Sequence, residues 1–360
     1  MEQFDTSQFG NRSVEARYAH CETAQPGWSE PNPFYEPWFL DAAREWFDPD
    51  RRVRMFEVPE VGIVPLRRSH DYYDRPVPHW TLWRHDQCFL ATPLVRTGCE
   101  RQFWKRLLSW CDDHAGTSLF LHCPLQHLAG PVFEALRDVV IEEERSASMV
   151  GRHERALLRS KLLSSDYQRQ SLSAGRRKEL RRQLRRLREE GEVSFESLSN
   201  GEGLAGWIDE YLRLEAAGWK GRSHSALGRT EAARKFFADS LTAGADTGRL
   251  QRRALRLDGR PIAMLATFVA APGAFLFKTA YDERYARFSP GVLLQCENLD
   301  LLDRQDIAFA DSCASAGHPM IEAIWQERRS VGGVNIAIGG KLRRHAARAM
   351  IALDKGSELL

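Results

Sequence analysis

Nowhere in the 360 residues is there an uncharged apolar run of about 18, the length a membrane-crossing helix needs. The first ten residues, MEQFDTSQFG, also lack the basic-then-apolar order of a secretory leader, so no span and a cytoplasmic setting are expected. Seven cysteines, at 21, 88, 99, 111, 123, 296 and 313, form no C-x-x-C pair. That spacing argues against a zinc ribbon or a disulfide framework and predicts reduced, mostly buried thiols. His122, Cys123 and His127 lie close together, but no second ligand pair accompanies them, so no metal is expected. G-x-S-x-G is missing, and GVNIAIGGKL (333–342) has neither the P-loop interval nor its closing Ser or Thr. Net charge is nearly absent too: 51 basic side chains against 49 acidic leave +2, so any charged partner must be read from local clusters.

What is there is a globular chain, 43% hydrophobic and long enough for two domains. Residues 1–30 are polar without a sustained period and read as an arm. From 31 to about 150, helix and strand patterns alternate. PWFLDAAREWF (37–47) has helical spacing, VRMFEV and VGIVPLRR (53–68) form a hairpin about Pro59–Glu60, and HWTLW (79–83) and CFLATPLV (88–95) continue as strands. RQFWKRLLSWC (101–111) and VFEALRDVVIEEE (132–144) are amphipathic helices around the strand SLFLHCPL (118–125). The second half, 151–345, opens with LSAGRRKELRRQLRRLREEG (172–191), a helix closed by Gly191 whose Leu180, Leu184 and Leu187 form a narrow apolar seam. The strand 193–198, helices 207–219 and 230–244, and three strands at 252–259, 261–270 and 274–281 follow. The turns at Asp258-Gly259 and Ala271-Pro272-Gly273 make those three strands an antiparallel meander. A helix over 292–305, a strand over 306–315 and a basic tail at 346–360 complete an α/β (α+β) chain of mixed sheets flanked by helices.

Chemistry concentrates in FLFKTAYDERYARFSPGVLL (275–294). A strand, a Ser-Pro-Gly turn and a helix start together leave unpaired amides at the positive end of a helix dipole, which suits a phosphate, although many ordinary strand-to-helix turns look the same. In an alternating strand Lys278 shares a face with Leu276 and Ala280. It is either a lysine snorkelling to water, with Asp282 and Glu283 as nearby partners, or a cation that steadies negative charge on a reacting carbonyl or phosphate. EAAGWKGR (215–222) ends a helix and presents Trp219 and Lys220 on a loop. Glu215 is a base, an anchor, or simply a solvated helical acid. Between Arg176 and Arg188, eight basic residues face one acid, a polyanion surface or an ordinary solvated helix face. The lack of interleaved aromatics argues against a single-strand nucleic-acid platform, while tRNA stays open.

Taken together, LSAGRRKELRRQLRRLREEGEVSFE, EAAGWKGRSHSAL, LRLDGRPIAMLATF and the 275–294 stretch resemble consecutive blocks of bacterial GNAT-type acyltransferases related to the cellulose-biosynthesis protein CelD, also described as BioF2-like. NPFYEPWFLDAA, VGIVPLRR and FLATPLVRTG resemble that family's first half. The resemblance implies two GNAT-like subdomains as in the FemABX transferases, the first degenerate and the second holding acyl-CoA, acetyl-CoA by expectation. Ser289, Pro290, Gly291, Val292 and Leu293 then hold the donor's diphosphate. Lys278 stabilises developing charge, Asp282 or Glu215 helps with the proton or positions the acceptor, and Trp219, Lys220 and Tyr281 line the acceptor side. Two departures stand out: the glycine-rich Q/R-x-x-G-x-G/A turn is not present, and the family's Y-K-x-x-W block reads Met320 to Trp325 without its lysine. The implied activity is acyl transfer to an amine or hydroxyl, on a small-molecule or saccharide acceptor in polysaccharide or cell-envelope biosynthesis. Aminoacyl-tRNA-dependent transfer and a non-catalytic scaffold in polysaccharide export remain alternatives.

Overall fold

A computed structural model describes residues 27–218, 227, 230–340, 343–344 and 358–359, the last pair by backbone alone. Trp219 and Lys220 lie outside the described residues.

Local turn chemistry sets the first elements. Strands β1 (Arg54–Val58) and β2 (Gly62–Ser69) pair antiparallel about the predicted turn, where Glu60 takes the left-handed conformation at φ 61. β3 (His79–Leu82) extends β2, and β4 (Leu94–Val95) is all that pairs from the strand expected over 88–95. β5 (Phe120–His127) runs parallel to β3, and β6 (Ala147–Leu158) follows, crossing position 150. In the second half β7 (Val193–Leu198), β8 (Leu250–Leu257), β9 (Arg260–Ala270) and β10 (Gly273–Tyr281) form the predicted antiparallel run. Asp258 and Gly259 both hold positive φ, 48 and 74, the two-residue turn whose twist matches its flanking strands.

The later sequence departs from expectation. The strand predicted over 306–315 shrinks to β11 (Phe309–Asp311), and the helix predicted over 292–305 divides into Pro290–Glu297 and a 3₁₀ segment, Asn298–Asp303. A helix at Ser164–Ser171 has no counterpart in the sequence reading. Neither does β12 (Glu327–Ala337), which inserts between β5 and β6, antiparallel to both. Its Gly332 and Gly333 fall where the register slips. A Cβ on Gly333 would stand 3.1 Å from the Val150 side chain on β6 and 3.3 Å from the His122 ring on β5, so a larger residue would make both give way. β13 (Glu358–Leu359) pairs with β6. Among the described residues all thirteen strands join one mixed sheet, with the path β1-β2-β3-β5-β12-β6-β11-β10-β9-β8-β7. β12 thus stitches a late segment of the chain into the sheet of the first half.

Helices cover this sheet. Ala174–Glu190, capped by the Ser173 hydroxyl accepting from the Arg176 amide, buries Leu180 and Leu187 in a core that also holds Leu265, Leu276 and Leu294. The other core holds Phe275 and Phe277 beside Phe34, Phe236 and Phe237. The end of the expected arm is tied down: Trp28 bridges to Arg96, and Glu30 is buried. Cys88, Cys111, Cys123, Cys296 and Cys313 are free thiols, whereas Cys99 is disulfide-bonded, correcting the expectation of a wholly reduced set. No helix among the described residues is long and apolar enough to cross a membrane.

Candidate active site

β10 and β11 are parallel neighbours only from Gly273 to Phe275. Beyond Phe275 they part, and the gap opens into a cleft of about 890 Å³. Its walls are β10 from Leu276 to Tyr281, the corner Ser289 to Val292, the chain after β11, and Phe89, Leu125, His153 and Arg155 from the first half. That volume lies within the usual range for a site that takes a small molecule or cofactor.

A bulge decides where Lys278 points. In the pairing with β9, Leu276 faces Thr267 and Lys278 faces Ala266, leaving Phe277 as an extra residue. Strict alternation would set Lys278 on the Leu276 face. The bulge corrects that expectation by inverting the later residues, so Ala280 joins the Phe275 and Phe277 core while Tyr281 lies against the Leu276 core. The Lys278 ammonium lies 5.0 Å from the Phe89 ring and 5.5 Å from the Phe277 ring. Aromatic faces attract a cation without neutralising it. Its charge reaches the half-buried His85, whose imidazole is pushed down to about 3 by burial first, then by Arg84 and Lys278.

The corner is built as the sequence suggests and differs in detail. Ser289 adopts the left-handed conformation at φ 52 and its amide bonds the Ala286 carbonyl at 2.9 Å. Pro290 starts the helix and has no N–H. The first helical bond runs from the Leu293 amide to the Ser289 carbonyl at 3.0 Å. The amides of Gly291 and Val292 therefore have no partner among the described residues, and both residues line the cleft. A Cβ on Gly291 would come 2.9 Å from the Met320 sulfur and 3.4 Å from Tyr281, so a larger residue here would displace the Met320 side chain. Leu293 faces away into the second core.

The two carboxylates expected to act here are placed differently. Glu215 lines the cleft from the last turn of the helix Leu204–Ala217, where it is 3% exposed and accepts the Leu227 amide at 2.8 Å. Burial, together with the Glu215 charge, keeps the nearby Tyr211 hydroxyl protonated far above its ordinary range. Asp282 does not line the cleft. It caps the 3₁₀ segment Glu283–Phe288, accepting the Arg284 amide at 3.0 Å and its guanidinium at 2.6 Å, and that bond holds its carboxyl below the usual range. The structure thus brings together Lys278, Glu215, Tyr281, Ser289, Pro290, Gly291 and Val292, and leaves Asp282 and Leu293 outside the walls.

The sequence reading missed the first-half wall and what anchors it. Arg155 on β6 and Arg329 on β12 are register partners, an arrangement that repels unless a counter-charge intervenes. Asp311, at the end of β11, supplies it: its Oδ2 accepts Arg155 at 2.6 Å and Arg329 at 2.9 Å, and its Oδ1 accepts the Cys313 amide at 2.9 Å. Burial pushes the Asp311 carboxyl up, and the two guanidinium groups outweigh it, holding it below the ordinary range. Arg329 also faces Glu30 at 3.9 Å, Glu30 engages His127, and Arg155 donates to the Phe89 carbonyl at 2.7 Å. The acid at the end of an apolar strand, Asp311, was the one available signal. Among the described residues no group of three or more His, Cys, Asp or Glu is arranged to hold a metal.

Residues 174–313 match the sequence profile of the family described as Acetyltransferase (GNAT) domain. No curated protein sequence matches the chain. Among solved structures, the chain is similar to a conserved protein of unknown function from Bacteroides thetaiotaomicron VPI-5482, with a TM-score of 0.57 at 9% identity over 86% of this chain and 93% of that one. It is similar to L-PGS from Bacillus licheniformis, with 0.53 at 12% over 90% and 98%, and to FemX, with 0.50 at 10% over 82% and 90%. At these identities the likeness is one of fold. The chain carries a GNAT acyltransferase fold, a large mixed sheet flanked by helices, as its sequence predicts.

Proposed function

We propose that this chain moves an acyl group from an acyl-CoA thioester to an amine or hydroxyl of an acceptor. The observation that carries the reading is the pair of unpartnered amides at Gly291 and Val292, set on the wall of a cleft that opens where β10 and β11 part. Two backbone donors at a helix start suit a diphosphate, and the departed glycine-rich turn is replaced by Pro290, which fixes the helix entrance, and Gly291, which keeps it clear. In this reading the acceptor nitrogen or oxygen attacks the thioester carbonyl, the carbon–sulfur bond breaks, and the acceptor's proton leaves. Lys278, held on aromatic faces, steadies negative charge on the carbonyl oxygen. Glu215, the remaining carboxylate on the wall, orients the acceptor or takes its proton, and Tyr281 borders it. Asp282 becomes a structural cap. Trp219 and Lys220 continue from the helix that carries Glu215 and retain their proposed acceptor role.

The acceptor is proposed to be a saccharide or related precursor in polysaccharide or cell-envelope biosynthesis, in the cytoplasm, in keeping with the CelD-like blocks of the sequence. The test is thiol release from acetyl-CoA and longer acyl-CoAs with amino-sugar and sugar acceptors. Release that depends on both substrates supports the reading; none with any donor removes it.

One observation favours a second reading, transfer from an aminoacyl-tRNA. On the helix Ala174–Glu190, Arg176, Lys178, Arg181, Arg185, Arg186 and Arg188 are exposed, a face suited to a polyanion. tRNA binding that weakens steeply with salt would shift weight to it.

A further inference from the structure

Beyond the two corner amides, the same helix offers the cleft an acceptor. Gln295 is 1% exposed, lines the cleft, and its Oε1 has no hydrogen-bond partner among the described residues. It lies four residues after Gly291 and three after Val292, so all three share a helix face. Helical side chains lean toward the N-terminus and cover the preceding turn, which aims the Gln295 amide back along the wall toward the corner. A buried carbonyl oxygen without a donor is costly, and one set on a cleft wall is open to a ligand's donor.

We infer that Gln295 reads the donor's pantetheine arm, its Oε1 accepting an N–H from one of the arm's amides. The inference rests on the acyl-CoA reading above. A diphosphate on the Gly291 and Val292 amides leaves the arm to enter the cleft along the face that Gln295 shares with them. The arm's amides are N–H donors, the partners this oxygen lacks, whereas the nucleotide half lies on the other side of the diphosphate. Gln295 is therefore a specificity residue for the arm and leaves nucleotide affinity alone.

Gln295→Met keeps the length of the side chain and removes the acceptor; Gln295→Leu removes it with a different shape. The intact chain is titrated calorimetrically with coenzyme A and with 3′-phosphoadenosine 5′-diphosphate, the nucleotide without its arm, and thermal melting is followed without ligand. Both variants are expected to bind coenzyme A roughly 3–10-fold more weakly, the worth of one net hydrogen bond, with nucleotide affinity unchanged. Unliganded melting is expected to hold or rise, since an unpaired buried oxygen is gone. Unchanged coenzyme A affinity in both variants overturns the inference, as does an equal loss for both ligands or a lowered unliganded melting point. If wild-type chain binds neither ligand, the donor reading itself fails, a result the variants do not produce.

Discussion

Two buried polar regions meet at the cleft, and they are finished to different degrees. At the seam of β6, β11 and β12, Arg155, Arg329, Asp311 and Glu30 are two cations and two anions, almost wholly buried, with their charges mutually engaged and only the two arginine Nε atoms unpartnered among the described residues. At the corner, the amides of Gly291 and Val292 and the Gln295 Oε1 have no partners among the described residues. Paired buried charges serve the fold, because removing one member strands the others. Amides and a side-chain oxygen left open on a cleft wall are instead free to be completed by a ligand.

The contrast breaks most sharply at the seam. Asp311→Asn removes the carboxylate between Arg155 and Arg329, leaving Glu30 alone beside Arg329, and is expected to cost about 3–5 kcal/mol of stability, read from urea unfolding. A loss under 1 kcal/mol would mean that the seam does not hold the two halves together. Next comes Lys278→Ala, expected to lower acyl-transfer turnover by about 10² with little change in melting, since its ammonium touches ring faces on the cleft wall. Unchanged turnover removes Lys278 from the chemistry. At the corner, Gly291→Val fills the space beside Met320 and Tyr281; we expect roughly a tenfold loss of donor affinity with stability changed by no more than about 1 kcal/mol. The last effect concerns pH. His85 titrates at about 3 in the folded chain, below its unfolded value near 6.5, so the unfolded state binds the extra proton between those values. Stability is therefore full above about pH 6.5 and falls as pH drops toward 3, by up to about 1.4 kcal/mol per unit. His85→Phe should flatten that slope, and an unchanged slope would assign it to other groups.

What could be read from the sequence is what neighbours decide. Asp258-Gly259 announces its hairpin, the leucine seam announces the basic helix, and Ser289-Pro290-Gly291 announces a strand-to-helix corner, because each rests on backbone preferences within a few residues. The bulge at Phe277 could not be read: alternation has no mark for an extra residue, and one residue is enough to move Lys278 across the sheet. β12 could not be read either, since its paired glycines look like a loop until strands from distant sequence close on both sides. The wall formed by Phe89, His153 and Arg155 depends on that insertion. Gln295 was passed over as one polar position in an apolar helix, and what distinguishes it is its place on the cleft wall with Oε1 unpartnered among the described residues. Asp282 lies off the cleft wall and is engaged by its own neighbour Arg284, a pairing that the sequence reading did not weigh.

The central claim is that the corner holds an acyl-CoA diphosphate, and the direct test is thermal melting of the intact chain titrated with acetyl-CoA and longer acyl-CoAs. At a hundredfold excess over the dissociation constant, binding to the folded state alone should add about 2.7 kcal/mol and raise the melting point by a few degrees, in proportion to the logarithm of donor concentration. A melting point that stays fixed with every donor up to millimolar concentration would contradict the account.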